Sequence, residues 1–288
     1  MSQPLEDCIV IAGVGLIGGS LAAALKQRNL ARKIIGVGRS QARLDAAHEA
    51  GLIDAGSTDL ASAAREATLV VCCTPVDRLA DDLQLAFSTA SAECLLTDAG
   101  SIKAALCRRL PSGRTPHGEF IGSHPLAGSH KRGHEAADAN LYQNRVCILT
   151  PLPSASSANL NRLVRFWQAV GMKTASMTPE EHDRILAQTS HVPHVAASAL
   201  ALTLQHENSP FAATGFRDTT RIAAGEPDIW LPILLGNSAE MVLAIAEMEE
   251  RLAQFRQAIS AGDAATLKNL LQKAKTTRDR LNLDSLSP

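Results

Sequence analysis

The sequence predicts an α/β protein, in which a Rossmann-type domain with a parallel sheet is followed by an all-helical domain. Three observations support this class. Short β-branched runs alternate with helical patterns over residues 1–179, a G-x-G-x-x-G motif follows the first run, and strand signals stop at residues 180–288. We therefore place the domain boundary near Pro179.

The first half of the chain supplies the strands of the predicted sheet. These runs are apolar on both faces, which is typical of parallel strands covered by helices. Strands are predicted at 8–13, 33–38, 68–76, 93–101, 119–123, 145–150 and 172–177, and helices at 16–29, 41–50, 59–67 and 156–170.

The second half reads as helices only, at 180–206, 212–224, 228–260 and 262–283. The stretch HVPHVAASALALTL is apolar on nearly every face. Such a helix has to be covered on several sides, by its own domain or by a partner subunit.

Composition narrows the class of protein. The 288 residues carry a net charge of -1, with 45% hydrophobic, 20% charged and 3% aromatic residues. This balance is that of a globular protein and argues against nucleic acid or a membrane as a partner. The six cysteines form no C-x-x-C pair, so we expect neither disulfides nor zinc, and a cytoplasmic location.

The glycine motif predicts a dinucleotide site within residues 1–179. Gly13, Gly15 and Gly18, with Leu16 and Ile17 between them, follow a strand and begin a helix. The glycines allow a pyrophosphate to approach the backbone, and the helix N-terminus offers free N–H groups. The alternative is a glycine turn that serves only packing.

The end of the second strand predicts which dinucleotide binds. Gly38 stands where NAD enzymes carry an acid that binds the ribose, and Arg39 and Ser40 follow it. A guanidinium and a hydroxyl suit a 2′-phosphate, so we expect NADP to be preferred, with NAD possible. The alternative is that Arg39 is a solvated loop charge.

Three further segments carry residues that are suited to catalysis. Asp98–Lys103 follows a buried strand and contains Ser101, which could instead cap the next helix. Ser123–Ser129 contains His124 at the end of a strand, where open α/β sheets bind ligands. Ser190–His194 places His191 and His194 on one helix face. No H-E-x-x-H spacing is present, so no metal is expected.

These segments together resemble the prephenate/arogenate (cyclohexadienyl) dehydrogenase family of tyrosine biosynthesis. The resemblance covers most of the chain, and its segments occur in the family's order: GVGLIGGS (13–20), CTPV (73–76), DAGSIK (98–103), GSHPLAGS (122–129), EEHDRILAQTSHVPH (180–194) and GFRDTTRIA (215–223). It implies oxidative decarboxylation of prephenate, arogenate or both, with hydride transfer to NAD(P)+. It also implies a homodimer that forms through the C-terminal helices.

The resemblance implies roles for individual residues. His124 would accept the proton of the substrate 4-hydroxyl, and Ser101 would lie beside that group. Arg221 would bind a substrate carboxylate, although an ion pair with Asp218 is the alternative. His191 and His194 would line the substrate pocket, and Thr74 and Pro75 would contact the cofactor.

Substrate choice is predicted from an acid near the pocket histidines. Asp183 lies eight residues before His191 and could share its helix face, where a carboxylate would favour the ammonium of arogenate. We therefore expect arogenate to be accepted at least as well as prephenate. The alternative is that Glu180, Glu181 and Asp183 only favour a helix N-terminus.

Two other classes compete with this interpretation. β-Hydroxyacid and 6-phosphogluconate-type dehydrogenases resemble one another in using a lysine on the interdomain helix. Here Lys173 is the only lysine between Lys131 and Lys268, and it lies in a predicted strand. A non-catalytic NADP-binding sensor would not need His124, Ser101 and Arg221. Since the chain ends shortly after its last helix, no regulatory domain is expected to follow.

Overall fold

Strands and helices alternate in the first part of the chain. The computed structural model describes residues 4–128 and 131–284. In chain order, its first elements are β1 (Glu6–Ala12), α1 (Leu16–Arg28), β2 (Ala31–Val37), α2 (Gln41–Glu49), β3 (Ala55–Ser57), α3 (Leu60–Ala64), β4 (Leu69–Cys72), α4 (Val76–Phe87), β5 (Leu95–Asp98), α5 (Ala104–Cys107) and β6 (Glu119–Phe120).

These strands form one parallel sheet in the order β3-β2-β1-β4-β5-β6. This is the strand order of a Rossmann fold. Strands β1 to β3 are added toward one edge of the sheet and β4 to β6 toward the other, so the topological switch point lies between β1 and β4. Val10 and Ala12 of β1 pack into the core on one face, and Ile9 and Ile11 pack into the core on the other. The predicted Rossmann-type sheet is confirmed, and β3 is a strand that the sequence analysis did not predict.

A second sheet contains β7 (Gly122–Pro125), β8 (Val146–Thr150) and β9 (Lys173–Ser176), with α6 (Ser157–Val170) before β9. The prediction of a single strand at 119–123 was wrong. The run divides at Ile121 between the two sheets, and β7 pairs antiparallel with β8. Gly122 makes this pairing possible, because a Cβ there would lie 2.4 Å from the Thr150 hydroxyl oxygen.

Helices and short turns follow β9. They are α7 (Pro179–Leu186), a π-helical turn (Ala187–His191), α8 (Val192–Leu202), α9 (Thr214–Thr220), a 3-10 turn (Arg221–Ala224) and α10 (Pro227–Gly236). The predicted helix at 180–206 is therefore interrupted and ends early. Pro193 explains the interruption, since it lacks the N–H that an α-helix would donate to the Thr189 carbonyl.

The chain divides into two compact units, Met1–Ser238 and Ala239–Pro288. The second unit contains most of α11 (Ser238–Ser260) and all of α12 (Ala264–Asp284), joined at Gly262 with φ +64. The predicted helix at 228–260 is broken at Asn237, which ends α10. The helical character of the C-terminal part is confirmed, while its boundary at residue 179 stays a prediction.

No single helix among the described residues is both long and apolar enough to cross a membrane. By length and composition alone, the bent pair of α10 and α11 would be long and apolar enough together.

Candidate active site

The glycine turn between β1 and α1 has the shape of a dinucleotide site. Gly13 has φ +95, and a Cβ on it would lie 2.8 Å from the Cys73 carbonyl group, so this position requires glycine. A Cβ on Gly18 would lie 2.1 Å from the Gly13 oxygen. Gly15 instead faces open space, and α1 has no side-chain cap. The first N–H groups of α1 are thus available to a phosphate.

The residues that follow β4 lie opposite the glycine turn, and the two segments enclose a crevice. Thr74 and Pro75 follow β4 beside the glycine turn, and Pro75 is the N-cap residue of α4. The Thr74 hydroxyl oxygen is buried and has no hydrogen-bond partner within residues 4–128 and 131–284. A buried hydroxyl without such a partner, next to a glycine turn with available N–H groups, fits a bound cofactor, because buried polar groups normally have partners.

Arg39 and Ser40 lie at the expected end of β2, and both are exposed. The Ser40 hydroxyl accepts a hydrogen bond from the Arg43 backbone N–H at 3.5 Å, so Ser40 is the N-cap of α2. Among the described residues, no acidic side chain forms an ion pair with Arg39.

The loop after β5 is fixed by a buried ion pair between Asp98 and Lys103, both fully buried. Asp98 also accepts hydrogen bonds from the backbone N–H groups of Gly100 (2.8 Å) and Ser123 (3.1 Å). These bonds hold the loop that carries Ser101 against β7, the strand that carries His124. Ser101 is half-buried and does not cap α5, whose N-cap position is Lys103.

His124 lies within β7 and is linked to two residues of α7. Its Nδ1 is 2.9 Å from Nε2 of His182, and Nδ1 of His182 is 2.8 Å from Oδ1 of Asp183. Within the described parts of the chain, Nε2 of His124 has no hydrogen-bond partner. The structure thus presents a buried imidazole that has one bonded and one free nitrogen.

Burial sets the charge states of these groups. Burial is the largest cause that lowers the pKa of His124 well below its ordinary value, and the neighbouring His182, Lys103 and His191 add to it. Burial also lowers the pKa of His182, although the Asp183 hydrogen bond acts in the opposite direction. His124 is therefore neutral at pH 7 and can accept a proton.

Asp183 is engaged by groups of the protein. Its oxygens accept hydrogen bonds from the backbone N–H groups of Lys103 (2.8 Å) and Ala104 (2.9 Å), besides His182. Burial raises the pKa of Asp183, but these three hydrogen bonds outweigh it and the pKa lies below its ordinary value. Asp183 was predicted from the sequence to contact substrate, whereas these hydrogen bonds give it partners at the start of α5 and in α7.

His191 ends the π-helical turn and is hydrogen-bonded to Asn237. Nδ2 of Asn237 lies 3.2 Å from Nδ1 of His191 and donates to the Asp183 carbonyl at 2.8 Å. Burial lowers the pKa of His191 to about 4. His191 is thus a neutral imidazole whose orientation is fixed by Asn237.

His194 is stacked on Trp230, with ring centroids 3.7 Å apart, and His191 meets the same indole edge-on at 6.3 Å. Gly225 permits this stack, since a Cβ there would lie 2.5 Å from the indole nitrogen. Nδ1 of His194 is buried and has no hydrogen-bond partner in the part of the chain that the structure describes. We call His124, His182, His191 and His194 the histidine cluster.

Arg221 begins the 3-10 turn that packs on α8, and its side chain is exposed. Among the described residues, no ion pair joins Arg221 to Asp218, so its guanidinium can bind a ligand anion. Ser129, the last residue of one of the sequence motifs, lies outside the described residues.

His182, Asn237, Lys103 and Trp230 are residues of this site that the sequence analysis missed. A signal for His182 was present in the sequence. The buried positions of α7 are Pro179, His182, Asp183 and Leu186, which is the i, i+3, i+4, i+7 spacing of a core-facing helix stripe. Within the described residues, no cluster of His, Cys, Asp or Glu could hold a metal ion.

Two family descriptions match consecutive parts of the chain. The family model described as "Prephenate dehydrogenase, nucleotide-binding domain" matches residues 21–176, and the one described as "Prephenate dehydrogenase, dimerization domain" matches residues 178–273. The chain is also 35% identical to a prephenate dehydrogenase of Bacillus subtilis (strain 168) over 286 residues, which cover 97% of this chain and 77% of that protein.

Two solved structures have the same fold. A prephenate dehydrogenase from A. aeolicus in complex with hydroxyphenyl propionate and NAD+ has a TM-score of 0.88 and 31% identity, covering 98% of this chain and 99% of that one. The arogenate dehydrogenase of Synechocystis has a TM-score of 0.82 and 29% identity, covering 95% of this chain and 99% of that one.

Proposed function

The chain belongs to the prephenate dehydrogenase family, and on that premise we propose that it catalyses the NAD(P)-dependent oxidative decarboxylation of prephenate, arogenate or both. The observation that carries this proposal is the neutral, buried His124, whose free Nε2 can accept the proton of a substrate hydroxyl. The glycine turn supplies the second requirement, a site for the dinucleotide.

The residues around the crevice hold the cofactor. The backbone of Gly13, Gly15, Leu16, Ile17 and Gly18 would bind the pyrophosphate at the N-terminus of α1. A dinucleotide held there would supply a hydride acceptor for C4 of the substrate ring. The Thr74 hydroxyl and Pro75 would contact the cofactor from the end of β4.

His124 handles the proton that must move with the hydride. As the hydride leaves C4, the hydroxyl O–H bond breaks and the proton goes to Nε2 of His124. The C1–carboxylate bond then breaks, carbon dioxide leaves, and its electron pair makes the ring aromatic with negative charge on the C4 oxygen. That oxygen takes the proton back as a phenol. Ser101 would donate a hydrogen bond to the same oxygen.

Arg221, His191 and His194 would anchor the substrate carboxylates and side chain. A bidentate guanidinium–carboxylate pair is strong, and Arg221 is not held by an acid of its own. Arg221→Ala should raise the substrate KM about ten- to a hundredfold, as expected for a lost contact of about 1.5–3 kcal/mol. Arg217→Ala is the matched control, because Arg217 donates to the Ala212 carbonyl of its own segment.

A turnover assay tests the function. The purified protein is given prephenate or arogenate with NAD+ or NADP+, and reduced nicotinamide and the aromatic product are both measured. Formation of 4-hydroxyphenylpyruvate from prephenate, or of tyrosine from arogenate, is the expected result. Absence of both products with either cofactor would overturn the proposal.

A preference for NADP over NAD is part of the proposal. It is supported by Gly38 in place of an acid and by the exposed, unpaired Arg39 beside it. Arg39→Ala should lower kcat/KM with NADP+ and leave kcat/KM with NAD+ unchanged, since only NADP+ carries a 2′-phosphate. A wild-type preference for NAD+ would refute it.

A homodimer is proposed from the apolar surfaces of the helical part. In the first unit, Leu202, Phe211 and Leu235 are more than half exposed, and in the second unit so are Val242, Leu243 and Ile259. Exposed apolar surface of this kind is typical of a subunit interface. Light scattering should give twice the mass of one chain at micromolar concentration, and the mass of one chain would contradict it.

A further inference from the structure

We infer that His182 and Asp183 form a reversible proton store behind His124, in which the proton taken from the substrate passes on to His182 and returns to the product. This inference rests on the proposed function. It assigns a role in that reaction to two residues of α7 that stand behind His124, on the side of its Nδ1.

The hydrogen bonds fix the tautomer of each ring. An ionised carboxylate only accepts, so Nδ1 of His182 must carry the hydrogen that it donates to Oδ1 of Asp183 at 2.8 Å. A neutral His182 then has a lone pair on Nε2. Nδ1 of His124, 2.9 Å away, must therefore be the donor. His124 is left with a lone pair on Nε2, the nitrogen that has no partner among the described residues.

Asp183 is held as an anion by three donors. Two of them are backbone N–H groups at the start of α5, at 2.8 and 2.9 Å, and the third is His182. An imidazolium on His182 would touch this anion. Lys103 disfavours a positive charge on both rings, but Asp183 and Asp98 favour it on His182, whereas no carboxylate favours it on His124. The positive charge is thus better placed on His182.

The proton transfer balances without any further reactant. The substrate O–H proton bonds to Nε2 of His124 while the Nδ1–H proton of His124 moves to Nε2 of His182. Asp183 stays ionised beside the new imidazolium. When decarboxylation places negative charge on the C4 oxygen, both protons move back along the same bonds and the product leaves as a phenol.

His182→Gln separates a proton store from a simple hydrogen-bond partner. A glutamine oxygen can reach the position of Nε2 and accept from His124, but it cannot hold a proton. We expect kcat to fall about 10²-fold, within the range of general-base effects, with the substrate KM and cofactor Kd unchanged. The solvent deuterium effect on kcat should increase, because proton transfer becomes slower than hydride transfer.

His48→Gln, on the exposed side of α2, is the matched control and should keep wild-type kinetics. Wild-type kcat in His182→Gln would overturn the proton store while leaving the proposed function intact. Failure of the wild-type protein to form either product would instead overturn the proposed function. The two failures are therefore distinguishable.

A measurement on the wild-type protein covers the case in which His182→Gln does not fold. With ¹⁵N-labelled histidine, the ring-nitrogen shifts report which nitrogen carries the hydrogen. We expect His124 and His182 both as the Nδ1–H tautomer in the substrate-free protein. An Nε2–H tautomer at His124 would overturn the inference.

A second inference concerns His191, and it rests on different bonds. We propose that Asn237 fixes His191 as a neutral Nε2–H donor toward a substrate oxygen. Nδ2 of Asn237 is identified by its bond to the Asp183 carbonyl, which can only accept. The same nitrogen points its other hydrogen at Nδ1 of His191 at 3.2 Å, so Nδ1 is the acceptor and Nε2 carries the hydrogen.

Two substitutions of His191 test this assignment. Glutamine can place an amide N–H where Nε2–H was, while asparagine can place only an acceptor for Asn237 where Nδ1 was. We expect His191→Asn to raise the substrate KM about tenfold, the size of one lost hydrogen bond, and His191→Gln to keep most of the affinity. The opposite order, or an Nδ1–H tautomer at His191 in the labelled protein, would refute it.

Discussion

The glycine turn at residues 13–18 and the histidine cluster differ in which atoms perform the binding. In the turn, backbone N–H groups are available to a ligand, and Gly13 and Gly18 leave no room for a side chain. In the cluster, the ring nitrogens are the functional atoms. Side-chain hydrogen bonds orient His124, His182 and His191, and His194 is stacked on Trp230. An added Cβ atom therefore disrupts the turn, whereas removal of a hydrogen-bond partner disrupts the cluster.

The cluster should be most sensitive at His124. His124→Asn can keep an acceptor or donor near His182 but removes Nε2, so kcat should fall about 10²–10⁴-fold. Because the glycine turn is separate from this residue, the cofactor Kd should not change. Steady-state kinetics and cofactor titration measure the two effects. Undiminished turnover would remove His124 from the mechanism.

Asp183 tests whether the cluster is a unit. Asp183→Asn replaces one carboxylate oxygen by an amide nitrogen that cannot accept. Because Oδ1 accepts from the Lys103 N–H and from His182, and Oδ2 accepts from the Ala104 N–H, at least one of these donors loses its partner. The sequence predicts that the ratio of arogenate to prephenate turnover shifts toward prephenate. From the contacts, we expect kcat to fall for both substrates by about 10²-fold with an unchanged ratio. Comparison of kcat for the two substrates decides between these outcomes.

Acidification should weaken the cluster before it affects the turn. The pKa of His191 is lowered to about 4, mainly by burial, although Asp183 opposes the shift. Since the unfolded chain binds this proton below about pH 6.5 and the folded protein does not, the free energy of unfolding falls as pH drops from 6.5 to 4. The loss is up to about 3 kcal/mol.

Urea denaturation across this pH range measures the effect. The burial-lowered pKa values of His124 and His182 act in the same direction. His191→Asn cannot be protonated, so its stability should depend less steeply on pH than that of the wild type. If the free energy of unfolding depends equally steeply on pH in the two proteins, His191 does not contribute to the pH dependence of stability.

The turn itself can be divided by two alanine substitutions. Gly13→Ala meets the Cys73 carbonyl group and requires a positive φ, so it should lower the unfolding free energy by about 1–3 kcal/mol. The Cβ of Gly15→Ala points into open space, so the melting temperature should not change. The affinity for the cofactor should fall, because the added Cβ stands where the phosphate would approach. Thermal melts and cofactor titration of both variants check this. Equal cofactor affinity in Gly15→Ala would show that the phosphate does not approach there.

The structure of the glycine turn could be predicted because its residues are contiguous in the sequence. Its strand, glycines and helix follow one another within about twenty residues, and local spacing determines their arrangement. The cluster joins β7, α7, the π-helical turn and α8, and its partner Asn237 lies at the break after α10. No local rule relates these segments. His124, His191 and His194 were chosen by sequence context and family resemblance, while their partners were not.

The missed partners have identifiable causes. His182 lies in the charged stretch EEHDR, where the acids suggested a solvated helix start, although its stripe faces the interior. Asn237 stood inside an apparently continuous helical pattern at 228–260, so a break there was not expected. The split of the 119–123 run depended on pairing of β7 with β8, about twenty residues later, which periodicity does not encode.

The ion pair between Asp98 and Lys103 also limits the evolutionary paths open to this chain. Both side chains are completely buried, so a substitution at one leaves a charge without its counter-ion in the interior. Such a loss typically costs about 3–5 kcal/mol, against a total stability of about 5–15 kcal/mol for a domain. A lineage could replace both residues together, but each single step would yield a poorly folding ancestor. The two positions are therefore expected to be inherited as one character.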